Sequence, residues 1–169
     1  KLKKTIEDDD YFKGKVLTTS KILYLDKFNS KLFLKREGDF KIGDSVLIGR
    51  FFIGLIVGVN STSYEVSLWN RKENNLGVFV ISSQNDNLVA NIKSDNYNTS
   101  YIENILSTEV VEIGDLVVTS SINEGIPNNL YIGVIDRVEG VSSQTFRKAL
   151  IKKPYSLEKS NYVILIKND

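Results

Sequence analysis

IGDSVLI at 42–48 and IGDLVVT at 113–119 are one phrase written twice, and each is followed by a second shared phrase, FIGLIVGVN at 52–60 and YIGVIDRVE at 131–139. The common unit is Ile-Gly-Asp-x-Val, a loop, then aromatic-Ile-Gly-x-Ile-x-x-Val. An ordered repeat of this kind fixes architecture before any single element is assigned. Working outward, GKVLTTS (14–20) resembles GVFVISS (77–83), and KLFLKR (31–36) resembles NLVANIK (87–93). Downstream, SYEVSLW (63–69) and TFRKALI (145–151) share a strand-like alternation.

Each half therefore reads as about five short strands. The expected strands are 14–20, 31–37, 45–49, 52–60 and 63–69 in the first half, then 77–83, 87–93, 116–120, 130–139 and 145–153 in the second. A last strand at 161–167 is expected to close the second half. Short twisted strands in such numbers rid themselves of exposed edges by closing. The fold class is all-β: two tandem small antiparallel β-barrel domains of five to six strands each, with little helix. The polar segment NRKENNL (70–76) marks the boundary, giving a linker at 1–12, a first barrel at 13–74 and a second at 75–169. Two helical pieces are expected, a frayed helix end in KLKKTIEDDD (1–10) and a turn or two in TSYIENIL (99–106).

The repeated Gly-Asp has a local reason. Gly43 and Gly114 suit a turn with positive φ, and Asp44 and Asp115 suit a bond to nearby backbone N–H groups. Val46 and Val117 then start inward-facing strands. Gly54 and Gly133 fall in mid-strand, where glycine marks a bulge or a close backbone approach.

Composition agrees with strands. The 169 residues hold 16 Asn and 11 Gly for turns but only two Ala, with Ile, Val, Leu, Tyr and Phe prominent. Net charge is +1, from 22 basic and 21 acidic residues, without the basic stripe that phosphate binding demands. Cys is absent, so neither a disulfide framework nor a thiolate metal site exists. His is absent too, which removes the commonest general base and metal ligand. The chain begins at Lys1 and lacks Met, which reads as a piece of a longer protein.

Candidate chemistry is correspondingly thin. Asp8-Asp9-Asp10 points three ways at once and reads as a solvated linker rather than a cation loop. Thr119, Ser120 and Ser121 lack an activating base and read as turn hydroxyls. Gly49, Gly54 and Gly58 do not open a phosphate loop. No catalytic residue, cofactor or metal is expected. Aromatic and apolar residues near a barrel rim are the candidate partner contacts: Phe51, Phe52, Trp69, Tyr101, Ile126 and Tyr131. Adjacent strand residues face opposite ways, so one of Phe51 and Phe52 is expected inside and the other exposed.

The stretch VEIGDLVVTSSINEGIPNNLYIGVIDRVEG (111–140) resembles the signature of the MreC family of rod-shape-determining proteins, with Gly114, Asp115, Val117, Thr119, Ser120, Gly125, Pro127, Gly133 and Val134 in order. Ser121 and Asn128 depart from it, and 84–104 matches poorly. The resemblance implies a membrane-anchored parent with a dimerising coiled coil, of which the first residues are a remnant, and two barrels at the extracytoplasmic face of the bacterial inner membrane, in the periplasm. It also implies a non-catalytic scaffold of the cell-wall elongation machinery that self-associates. The implied partners are MreB, MreD, RodZ, RodA and a class B penicillin-binding transpeptidase, which the scaffold would bind and activate. Two other readings stand beside it. One is a nucleic-acid-binding tandem of OB-like barrels that stack bases on Tyr and Phe. The other is a hydrolase working through Asp115 and Glu124.

Overall fold

The computed structural model describes residues 10–82, 88–140 and 145–168. Twelve strands are found among them: β1 (Leu17–Asp26), β2 (Lys31–Lys35), β3 (Ser45–Ile48), β4 (Phe51–Val59), β5 (Ser63–Leu68), β6 (Leu76–Ile81), β7 (Leu88–Asn96), β8 (Thr99–Leu106), β9 (Leu116–Thr119), β10 (Tyr131–Glu139), β11 (Phe146–Lys152) and β12 (Tyr162–Ile166). The helix among the described residues is one 3-10 turn, Asp10–Phe12.

The pairings form two closed antiparallel circuits of six strands. One runs β1-β2-β5-β4-β3-β12 and back to β1, and the other runs β6-β7-β8-β11-β10-β9 and back to β6. Among the described residues one parallel strand bridge, Phe51 with Tyr131, links the two circuits. The all-β, two-barrel expectation is met.

Three expectations are corrected. Strand 161–167 does not close the second half: β12 pairs with β1 and β3, so it closes the first barrel. The physical reason is burial on both faces. Val163 and Leu165 point into the first barrel, and Ile164 and Ile166 point outward into apolar contact with the second. The second barrel is thus spliced between β5 and β12 of the first. The upstream alignment of the halves shifts accordingly, because β7 and β8 occupy the places of β1 and β2, while β6 occupies that of β12. Segment 99–106 is strand β8, not a helical turn. Asn104 takes φ 61° in a bulge, so Ile102 and Ile105, three apart, both face the core and imitate helical spacing.

The linker assignment is corrected at its end. Phe12 is buried in the apolar cluster shared by the barrels, because the 3-10 turn lies against them. Asp8 and Asp9 and the expected helix end lie outside the described residues.

The Gly-Asp repeat is reproduced atom by atom. Gly43 and Gly114 have φ of 99° and 91°. Gly43 N donates to Ile56 O at 2.8 Å and receives its match in Ile56 N to Asp44 O at 2.9 Å; Gly114 N to Ile135 O (2.8 Å) and Ile135 N to Asp115 O (2.9 Å) repeat the pair. The side chains differ in their load. Asp44, 1% exposed, accepts from Lys41 N at 2.9 Å and Asn168 N at 3.1 Å. Asp115, half-buried, accepts from Glu112 N at 2.8 Å. Asp44→Ala is therefore expected to cost roughly 2–3 kcal/mol and Asp115→Ala about 1 kcal/mol, from the lost charge-assisted bonds. Urea unfolding of the two variants checks the order.

Candidate functional site

The seam between the barrels is built from the hairpin tip between β3 and β4 and the long loop between β9 and β10. Arg50 at that tip accepts a bond on its carbonyl from Tyr131 N at 3.1 Å and donates from its guanidinium to Asn129 O at 3.1 Å. The same guanidinium lies over the rings of Tyr11 and Tyr131, 4.8 and 4.9 Å from their centroids. Phe51 packs between Tyr131 and Tyr155, each at 5.6 Å, and Trp69 Nε1 donates to the Tyr155 hydroxyl at 3.3 Å. Burial pushes that hydroxyl far above the ordinary tyrosine range.

The turn between β7 and β8 makes a second contact. Tyr97 enters the first barrel's cluster beside Leu157, and its carbonyl accepts from Asn70 Nδ2 at 2.7 Å and Lys153 Nζ at 3.0 Å. Lys153 also lies 3.8 Å over the Tyr97 ring. Burial lowers its ammonium to about 8, with Glu158 opposing and Lys27 assisting the shift. Tyr97 is pushed up to about 12, first by burial and then by Glu158.

Stability should follow these groups. Between about pH 8 and 10 the unfolded chain holds the Lys153 proton that the folded chain has released, so stability rises with pH. Above 10 the unfolded tyrosines ionise while folded Tyr97 and Tyr155 do not, so it falls. A melting temperature that peaks near pH 10, and loses its rising limb in Lys153→Met, is the expected result. A rising limb unchanged in that variant would assign it to another group.

The partner candidates are thus largely spent within the molecule. Phe52 (1% exposed) and Trp69 (4%) are core, which corrects their reading as exposed rim residues, and they face outward only as the floor of a groove beside β4. Phe51, the other member of its pair with Phe52, is half-buried between two tyrosines rather than exposed, and Tyr131 is likewise half-buried. Ile126 packs against the shared cluster. Tyr101 stands apart on the second barrel, donating to Asp95 at 3.2 Å beneath Lys148.

The signature residues shape the loop between β9 and β10. Thr119 Oγ1 donates to Pro127 O at 2.7 Å and accepts from Leu130 N at 3.0 Å, while Ser120 is fully buried. Asn123 clasps Gly77 through both of its backbone groups, at 2.8 and 2.7 Å. Gly125 has φ 77°, Val117 is core and Val134 is half-buried. A Cβ on Gly133 would lie 2.5 Å from Lys152 O.

Between this loop and β4 runs a groove of about 390 Å³. Phe52, Trp69 and Leu76 form its floor, and Leu55, Val57, Ile122 and Ile126 stand along it, with Glu124 beside them. Val57 is 42% exposed and Ile122 66%. Neither was singled out by the sequence reading. The available signal was Ile122 itself, an aliphatic residue in the otherwise polar run SSINEG.

The Asp115 carboxylate is engaged by its own turn, and Glu124 stands at the groove. Among the described residues no group of three or more acidic residues could hold a metal ion.

Two closed six-stranded barrels, one spliced into the other and clamped by an aromatic seam, define a two-barrel structural module. The model of the family "Rod shape-determining protein MreC, barrel core" matches residues 26–167, and the chain belongs to that family. Solved structures with this fold include one described as MreC, with TM-score 0.80 at 19% identity, covering 98% of this chain and 95% of the other. MreC from Pseudomonas aeruginosa follows with TM-score 0.72 at 21% identity, covering 89% and 98%. A complex between a penicillin-binding protein and MreC from Helicobacter pylori gives TM-score 0.62 at 14% identity, covering 92% and 99%. A search of curated proteins by sequence found no match.

Proposed function

We propose that this chain is a non-catalytic scaffold of bacterial cell-wall elongation, acting on the outer side of the cytoplasmic membrane and docking a class B penicillin-binding transpeptidase on its barrels. The observation that carries this reading is the exposed apolar groove on a two-barrel body, in a family whose Helicobacter pylori member has been solved with a penicillin-binding protein. Apolar side chains held open beside a polar rim are the anatomy of a docking site. Activation of the transpeptidase, self-association, and assembly with MreB, MreD, RodZ and RodA belong to the same proposal. Extracytoplasmic placement is supported by the related "major periplasmic domain" structures. Among the described residues no helix is long and apolar enough to cross a membrane.

Calorimetry against the elongation transpeptidase of the same organism tests the proposal. Val57→Lys and Ile122→Glu change exposed side chains, so they are expected to keep the melting temperature and weaken binding at least tenfold, about 1.4 kcal/mol. Binding unchanged in both removes the groove from the interface. An absence of binding by the unaltered chain removes the function.

A further inference from the structure

A larger cleft, of about 950 Å³, lies where the turn between β1 and β2, the link between β5 and β6, and the turn between β7 and β8 meet. That is the upper end of ligand-sized clefts, roughly 300–1,000 Å³. Phe28 stands on its edge at the tip of the first turn, 95% exposed. A phenylalanine so placed buries almost none of its surface in the folded chain. The turn that carries it is nevertheless held firmly. The Asp26 carboxylate accepts from Asn29 N at 3.1 Å and Asn29 Nδ2 at 2.8 Å, and buried Ser30 adopts φ 51°.

Charged side chains line the cleft, and neutral polar groups stand among them. The neutral groups are the side-chain amides of Asn29, Asn96 and Asn98 and the hydroxyl of Thr99. Asn98 N donates to Asn96 Oδ1 at 2.8 Å, while among the described residues the Asn98 side-chain amide and the Thr99 hydroxyl make no hydrogen bond. The cations near the cleft are already matched: Lys27 with Glu158 at 2.9 Å, Lys31 with Glu65 at 3.1 Å and Arg71 with Glu73 at 3.5 Å. Exposed Lys72 and Asp95 on its walls cancel. An anionic ligand therefore gains little. An extended peptide gains little either, because among the described residues both barrels are closed and offer no free strand edge for backbone pairing.

We infer that this cleft binds a neutral oligosaccharide, with one sugar ring against Phe28 and its hydroxyl and acetamido groups bonded to Asn29, Asn96, Asn98 and Thr99. The C–H face of a sugar ring carries slight positive charge and meets the negative face of an aromatic ring. Side-chain amides supply both a donor and an acceptor, as a ligand that carries both in every unit requires. The inference is independent of the transpeptidase groove, which shares no residue with this cleft.

The test is an amide NMR titration of the whole 169-residue chain with soluble chitin and cellulose oligomers. The expected result is saturable binding in the millimolar range or tighter, with shifts centred on 27–31 and 95–99. Phe28→Ala is expected to weaken it at least tenfold, while Phe28→Trp keeps it. Parallel titrations use single-stranded DNA and anionic lipid vesicles. Saccharide binding that is absent, that centres elsewhere, or that survives Phe28→Ala unchanged overturns the inference. So does salt-sensitive binding of DNA or vesicles at these residues without binding of saccharide.

Discussion

Removal of residues 161–169 is expected to unfold the first barrel outright and to loosen the second. Val163, Ile164, Leu165 and Ile166 are each at most 1% exposed. Full burial of such side chains contributes about 1.5–3 kcal/mol apiece. Together they reach roughly 6–12 kcal/mol, comparable with the whole stability of an ordinary domain at about 5–15 kcal/mol. The backbone loss compounds this, since β12 supplies the ladders to both β1 and β3. Ile164 and Ile166 also belong to the cluster that fills the second barrel, so the damage crosses the seam. Near-UV circular dichroism and a urea transition measure the outcome. A truncated chain that still unfolds cooperatively at the original midpoint would show that β12 is an accessory strand, against the closed circuit described above.

The second large effect is expected at Gly54. A Cβ there would lie 2.1 Å from Ser67 O and 2.9 Å from Ser67 C, both backbone atoms of the paired strand β5. A backbone partner cannot swing aside as a side-chain tip does, so β4 and β5 must part. Overpacking costs about 1–3 kcal/mol and occasionally more. Gly54→Ala is expected at or beyond the top of that range, with a fall in melting temperature on the order of 10 °C for a chain of this size. Gly58, four residues on in the same strand, is the internal control. Its added Cβ would meet only Glu65 Cβ, at 3.3 Å. Gly58→Ala is expected to change stability by less than about 1 kcal/mol, because the narrowed unfolded ensemble offsets a slight crowding. Equal losses at the two positions would mean that close approach is not what selects glycine at 54.

The legible part of this fold was written in local patterns. Gly43-Asp44 and Gly114-Asp115 announced their turns because one residue's φ and the next residue's carboxylate suffice to make them. Most strands could be placed from alternation or apolar runs, and Gly54 and Gly133 declared a close approach through their position alone. What escaped was non-local. The partner of β12 could not be read from Tyr-Val-Ile-Leu-Ile, although an apolar run without alternation did signal burial on both faces. Strand β8 was concealed by a bulge at Asn104, which shifts the side-chain phase by one residue.

The candidate site was legible only in outline. Phe51, Phe52, Trp69, Ile126 and Tyr131 were grouped as a set of partner contacts, yet most of that set packs at the seam between the two barrels. Exposure depends on what the second barrel covers, and that depends on the splice. Val57 and Ile122 became visible as groove residues only once β4 and the loop between β9 and β10 were set side by side. The same holds for Phe28 and Asn98, 70 positions apart along the chain and on one cleft in space.

The splice also sets an order in time. A ribosome delivers the chain from its N-terminal end at about 5–20 residues per second. All six staves of the inner cask have been synthesised once Lys152 is made, whereas the outer cask still lacks its final stave until Ile166 follows. The inserted ring is thus free to shut first, and the ring that encloses it in sequence must wait, one gap open, for the tail to arrive.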